Sequence, residues 1–386
     1  MIRTACCVLS LVAPLSAQGP PHHLGEGDLD WLVHEGPWSA RVEVLEGGRL
    51  VLTNGLVQRV IATDPDGATL AIDELSSGRS LLRAVKPEAE LVLDGVVLPV
   101  GGLTGQPDHA FLLPEWEAQL TRDEGALHLL DWEIGTPQAF HGWKRVRHAQ
   151  DRPWPPAGVR LSMRYRTAAR APVTVTVHHE LLDGVPAFSK WIEVTNDGAQ
   201  PLTLERFTCE RLAFVEDESR VDAASGFGLP DVLALTDMSF GGMSLAGSNV
   251  AVRWGPDPEY KTQVNYARKT PCLLEVSPPL GPAVTIAPGG TLRSFKSHLL
   301  VFDSTDRERQ GLATRALLRT LAPWLTENPI QMHVRSADPA AVRLAVDQCV
   351  EVGFELDGFH GFTHALVFPW AATAAMAAAT SSGSPR

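Results

Sequence analysis

Trp143, Arg145 and Arg147 recur at every second position, a spacing that in a strand puts one indole and two guanidinium groups on the same face. Such a face can stack on a sugar ring and hydrogen-bond its hydroxyls. The same spacing also describes a solvated face with a tryptophan bridging two sheets. Pro114-Glu115-Trp116 offers a similar acid and aromatic pair in a loop, with structural packing as the plainer role. His178-His179-Glu180 has the composition of a metal site, yet successive side chains of a strand point to opposite faces, so His178 and His179 do not share an ion. Asp64-Pro65-Asp66-Gly67 opens like a calcium loop, but Leu75 stands where the twelfth-position glutamate belongs, and the segment reads as a turn. There is no CxxC or Cys/His spacing for zinc, and neither a metal nor a cofactor is expected.

The elements that must position these residues are mostly strands. From about Trp31 to Phe302, short apolar-alternating runs are broken by Gly, Pro, Asp and Asn, the pattern of an antiparallel β-architecture. Asn54-Gly55, Asp94-Gly95 and Asp183-Gly184 each separate two such runs and predict hairpins, with a type I′ turn at Asn54-Gly55. Some twenty strands fit, more than the usual sheet of about 4 to 6 holds, so two large stacked sheets are expected. Beyond Asp303 the pattern turns helical. Leu312, Ala313, Ala316, Leu317 and Leu321 share a face, and Pro323 ends the run. Ile330 to Val334 then reads as a strand, and Asp338-Pro339 as an N-cap with proline at N1 of a helix that presents Val342, Ala345, Val346, Cys349 and Val350. Gly353 stands where a C-terminal cap belongs. A strand followed by a capped helix predicts the first βα unit of a parallel α/β domain.

Composition narrows the function classes. The 386 residues hold 33 Lys and Arg against 45 Asp and Glu, a net charge of −12, which argues against a nucleic-acid partner. With 44% hydrophobic and 20% charged residues the chain is ordinary globular protein, long enough for two or three domains. Arg3, the apolar run Ala5 to Val12 and the small pair Ser16-Ala17 predict a secretory signal, and hence a secreted or periplasmic protein. If Cys6 and Cys7 leave with it, Cys209, Cys272 and Cys349 remain, too few for a disulfide framework. Phe362 to Thr380 is too weakly hydrophobic, and too interrupted by His364 and Pro369, for a membrane span.

Several strings carry a family resemblance. Leu52-Thr53-Asn54-Gly55-Leu56, Val100-Gly101-Gly102-Leu103, Trp143-Lys144-Arg145-Val146-Arg147-His148, Ser189-Lys190-Trp191 and Leu321-Ala322-Pro323-Trp324-Leu325-Thr326-Glu327-Asn328-Pro329, in that order, resemble bacterial proteins related to the α-galactosidases of glycoside hydrolase family 36. The resemblance runs from about Leu50 to Glu355. It implies a mainly β fold: a large antiparallel two-sheet β-supersandwich, a linker helix, and a (β/α)8 barrel that carries catalysis. It also implies carbohydrate as the partner and a retaining mechanism with two carboxylates and no metal.

A complete barrel needs about 250 residues, and the 59 residues from Asn328 on suffice for about two βα units. The expected division is therefore a signal peptide at 1–17, a linker at 18–30, the supersandwich at 31–303, the linker helix at 304–327, the start of the barrel at 328–355 and a low-complexity tail at 356–386. No charged residue lies between Asp357 and Arg386, which predicts a frameshift or premature gene end. No catalytic residue is assigned, because the positions that would hold the two carboxylates are missing. The substrate-binding candidates are Trp143, Arg145 and Trp116, together with His333, Arg335 and Asp338 at the carboxyl end of the first barrel strand. Asp338 also has an N-cap role, and Arg335 a surface role. The expected activity is that of a glycoside hydrolase without its catalytic half; the alternative is a carbohydrate-binding or interaction sandwich. Oligomeric state is left open.

Overall fold

In the computed structural model of the protein, the described residues are 29–143, 145, 151–166, 172–216, 228–238, 249–262, 268–323, 331–334, 336, 338–352, 356–359 and 366–367. The predicted signal peptide, Arg147 and Arg335 lie outside them. Among the described residues the fold is mainly β, with antiparallel sheets of five, seven, four and four strands and a short two-stranded ladder. The seven-stranded sheet runs in the order His128–Gly135, Gly158–Arg166, Val173–Leu182, Ala187–Asn196, Ser297–Val301, Val232–Thr236, with Thr291–Arg293 also paired to Ala187–Asn196. Alternation decides which side chains enter the core. Val173, Val175, Val177 and Leu181 point inward, as do Leu161, Met163 and Tyr165 on the neighbouring strand. One core cluster draws on all four larger sheets, so the shorter sheets together form the layer opposite the seven-stranded one.

The same inward face carries a buried ion cluster. Arg59 donates to both carboxylate oxygens of Glu210, at 3.1 and 3.2 Å, and to Thr69 Oγ1 at 2.8 Å. Lys190 Nζ donates to Glu88 Oε2 and Glu210 Oε1, both at 2.8 Å, and to the Glu88 carbonyl at 2.6 Å. Thr69 contributes its N–H and its hydroxyl to Glu88 Oε1. Two cations thus face two carboxylates, and all four side chains are at most 4% exposed. Burial opposes ionisation of Glu88, but Lys190 and Arg59 overcome it and hold the carboxyl well below the usual range. Burial, aided by the Arg59 charge, pushes the neighbouring His179 down to about 4, so this ring is neutral.

Turn chemistry follows the sequence at one hairpin and departs from it at another. Asp94 and Gly95 have φ of 46° and 77°, both positive, as a type I′ turn requires. At Asn54-Gly55 only the glycine is left-handed, with φ of 86°. Asn54 is there for its amide: Nδ2 donates to the carbonyls of Leu182 and Val185, each at 2.9 Å, and Oδ1 accepts the N–H groups of Leu56 and Val57. It ties the hairpin to the turn between the two longest strands. In the Val100 to Leu103 string, Gly101 has φ of 58°, and a Cβ there would lie 2.2 Å from the Gly67 carbonyl oxygen.

The linker helix spans Arg307–Leu321, capped by Asp306, whose side chain accepts the Arg309 N–H. Its Ala313 and Leu317 pack on Val185, Ala187 and Leu300, the outward face of the seven-stranded sheet. Further on, the strand Gln331–Val334 leads to the helix Pro339–Val352, and Leu356–Phe359 pairs parallel with the first strand. Ala345, Val346 and Cys349 are buried as the helical spacing predicts, whereas Val350 is exposed.

Candidate functional site

The outward face of the seven-stranded sheet is divided. One half is apolar and takes the linker helix. The other half presents polar side chains, in strands whose inward faces carry aliphatic residues together with His179 and Lys190 of the ion cluster. The cross-strand register places Glu180 beside Ser189, Ser189 beside His298 and His298 beside Leu235, one continuous row across four strands. This row is the floor of a cavity of about 240 Å³. Its walls are the segment from Pro137 to His141, the turn at Trp154 and Pro156, and the last turn of the linker helix through Leu318 and Leu321.

Lys296 organises the floor. Its Nζ is 2.7 Å from Glu180 Oε2, and it also donates to the Gln138 carbonyl. It lies 4.3 Å from the Trp191 ring centroid and 4.8 Å from that of Phe140. Burial lowers the Lys296 pKa, and Glu180 acts against that shift. The second Glu180 oxygen accepts the Gln138 N–H at 2.5 Å, so both oxygens of this buried carboxylate are engaged. Asp237, more exposed, accepts the Lys296 backbone N–H at 2.7 Å. Burial and the Lys296 charge push His298 down to about 3, and its Nδ1 lies 2.8 Å from Ser189 Oγ. This ring is a neutral hydrogen-bonding group.

The walls are aromatic. Phe140 meets Trp191 edge-on at 5.4 Å, and the Arg293 guanidinium lies over the Phe140 ring, 3.7 Å from its centroid. Trp154 donates its indole N–H to the His141 carbonyl at 3.2 Å, and its ring lies 5.2 Å from that of His141. An aromatic wall over a floor of one ammonium, two carboxylates and a neutral imidazole suits a small ligand with an apolar face and several hydroxyls. The cavity is smaller than the roughly 300 Å³ at which sites for drug-sized ligands begin, a size that fits one sugar ring.

The predicted site residues fall in several places. Trp143 stands against Trp154, rings 6.0 Å apart and steeply inclined, and so supports the cavity wall from behind. Trp143 and Arg145 are not in a strand, and Arg145 is exposed and paired with Asp151 at 3.0 Å. Trp116 belongs to the short helix Pro114–Glu117 and stacks on Phe111 at 5.2 Å, away from this cavity. His333 is in the strand Gln331–Val334, and Arg335 lies outside the described residues. Asp338 caps its helix, accepting the N–H groups of Ala340 and Ala341. His178 and His179 do point to opposite faces: His179 toward the ion cluster, and His178 onto Trp191 at 4.6 Å in a parallel stack. Among the described residues no group of three His, Cys, Asp or Glu side chains is arranged to hold a metal ion.

In the sequence Glu180 stands out only within a His-His-Glu string, and Phe140, Trp154, Lys296 and His298 belong to no motif. A signal was available. Lys296 and His298 alternate at the start of the short strand Ser297–Val301, as His178 and Glu180 do within Val173–Leu182. Two polar pairs of period 2 mark the same outward face.

No protein-family model and no curated protein matches the sequence. Solved structures similar to the chain include an α-galactosidase from Lactobacillus brevis, at 10% identity and a TM-score of 0.42 over 82% of this chain and 49% of that one. A family 36 α-galactosidase from Geobacillus stearothermophilus is similar at 12% identity and a TM-score of 0.42, over 83% of this chain and 50% of that one. A putative aldose 1-epimerase from Klebsiella pneumoniae is similar at 10% identity and a TM-score of 0.34, over 73% and 88%. The chain spans about half the length of these α-galactosidases.

Proposed function

We propose that this chain is the sandwich portion of an exported α-galactosidase-like glycoside hydrolase, and that its own part is to hold carbohydrate without cleaving it. The observation that carries the reading is the joining of Phe140 and Trp154 with Glu180 and Lys296 in one ring-sized cavity. The ordered family strings of the sequence support the carbohydrate class. The state of Glu180 supports binding over catalysis: with one oxygen on Lys296 and the other on Gln138, it is committed to holding the floor together. Retaining hydrolysis needs a free carboxylate nucleophile about 5 to 5.5 Å from a protonated acid. Two measurements test this reading. The purified chain binds at least one glycan class on an array, and it does not release p-nitrophenol from p-nitrophenyl α-galactoside. Background-corrected hydrolysis contradicts the non-catalytic part; a blank array contradicts the carbohydrate part.

A specific surface favours a second role as an interaction module. On the strand His128–Gly135, Leu130, Trp132 and Ile134 are 58%, 36% and 47% exposed, an apolar stripe on a strand that, among the described residues, pairs on one side only. Partner capture that is indifferent to added sugar, and lost in Trp132→Lys, identifies this role.

A further inference from the structure

A second, larger opening adjoins the cavity. It has a volume of about 640 Å³ and is lined by Trp31, Trp38, Arg152 and Arg319 among others. The two openings share three stretches of chain. Pro156 lines both. Leu182 lines the cavity and Asp183 the cleft; Leu318 and Leu321 line the cavity, Arg319 and Thr320 the cleft; Trp154 lines the cavity, Arg152 and Pro153 the cleft. Successive residues therefore serve one opening and then the other, which places them side by side across the end of the linker helix.

The cleft has the means to bind further sugar rings. Trp31 is fixed by its indole N–H, which donates to Asp303 at 2.9 Å. Trp38 is fixed by backbone: a Cβ on Gly36 would come within 2.6 Å of its ring, and one on Gly55 within 3.7 Å. Rigid indoles offer stacking surface at low entropic cost. Arg152 Nη1 donates to Thr320 Oγ1 at 3.3 Å, which holds the loop against the helix next to Arg319. A guanidinium donates up to five hydrogen bonds and accepts none, which matches the oxygen-rich edge of a saccharide.

We propose that the ligand is an oligosaccharide, with one terminal ring in the 240 Å³ cavity and the following rings crossing Pro156 into the 640 Å³ cleft between the two tryptophans and the two arginines. This rests on the carbohydrate reading given above and narrows it. A monosaccharide fills the cavity alone. Each added unit gains a stacking or guanidinium contact until the cleft is full.

The test is a titration across an array on which each glycan class is printed in lengths of one to four units. The expected result is about tenfold tighter retention of the trisaccharide than of the monosaccharide in the class that binds, equivalent to one or two stacking contacts. In Trp38→Ala the ratio of trisaccharide to monosaccharide affinity falls toward one. Arg319→Ala, on the exposed side of the helix, lowers the same ratio and guards against loss of fold in the tryptophan variant. Equal affinity at every length, with binding retained, overturns the inference and leaves the carbohydrate reading standing. A ratio unmoved in both variants also overturns it. No retention of any glycan overturns the carbohydrate reading and the inference together.

Discussion

Lys190 Nζ lies 2.8 Å from Glu88 Oε2 inside the sandwich, while the next side chain, Trp191, points through the opposite face of the same strand and stacks on His178. Two adjacent residues thus serve two different layers. The string Ser189-Lys190-Trp191 holds three roles: cavity floor, ion cluster and the ring beneath Lys296 and Phe140.

Removing Lys190 leaves two carboxylates facing Arg59 in a buried cluster. Breaking a buried, hydrogen-bonded ion cluster costs about 3–5 kcal/mol, because a charge is stranded. Lys190→Met is expected to lose that much in a urea melt; a loss under about 1 kcal/mol would mean that the cluster relaxes or admits water. A quadruple variant, with Lys190, Glu88 and Arg59 replaced by apolar residues of similar volume together with Glu210→Gln, is expected to recover part of the loss.

Acid acts through the buried histidines, His179 among them. His179 has a pKa of about 4 in the folded protein against 6.5 for the unfolded group, so between those values the unfolded chain binds a proton that the folded chain refuses. The stabilisation is full above pH 6.5 and is lost as the pH falls toward 4, at up to about 1.4 kcal/mol per unit. Burial is the main cause, so His179→Gln is expected to flatten the slope of stability against pH between 6.5 and 4. An unchanged slope in that variant contradicts the assignment.

Asn54 satisfies two buried carbonyls and two N–H groups. Asn54→Ala strands the Leu182 and Val185 carbonyls, at about 1–3 kcal/mol each. A fall of several degrees in Tm is expected, and Asn54→Asp should fare little better, since it replaces the donor with an acceptor. A melt identical to that of the parent would show that the hairpin tie is dispensable.

Much of the fold is legible in the sequence because it depends on local rules. Alternation in Val173 to Leu182 gives the strand and its faces, Asp94-Gly95 gives the hairpin, and Asp338 announces its helix. The site is less legible because it depends on register. Glu180, Ser189, His298 and Leu235 are up to 118 residues apart in the chain and become neighbours only when four strands align. Trp143 was readable as an aromatic near the site, but the expected strand through Trp143 and Arg145 is absent, and Trp154, seated between prolines, holds the wall position. Asn54 shows the same limit. Its neighbour Gly55 suggests a turn, whereas the amide's partners lie 128 and 131 residues away.

The most direct test of the central claim is a glycan-array titration of the whole chain beside Trp154→Ala, with thermal melts confirming that both are folded. Retention of at least one glycan class, weakened about tenfold or more when the Trp154 wall is removed, is the predicted result. A parent chain that retains no glycan, or a folded variant that binds as well as the parent, would contradict it.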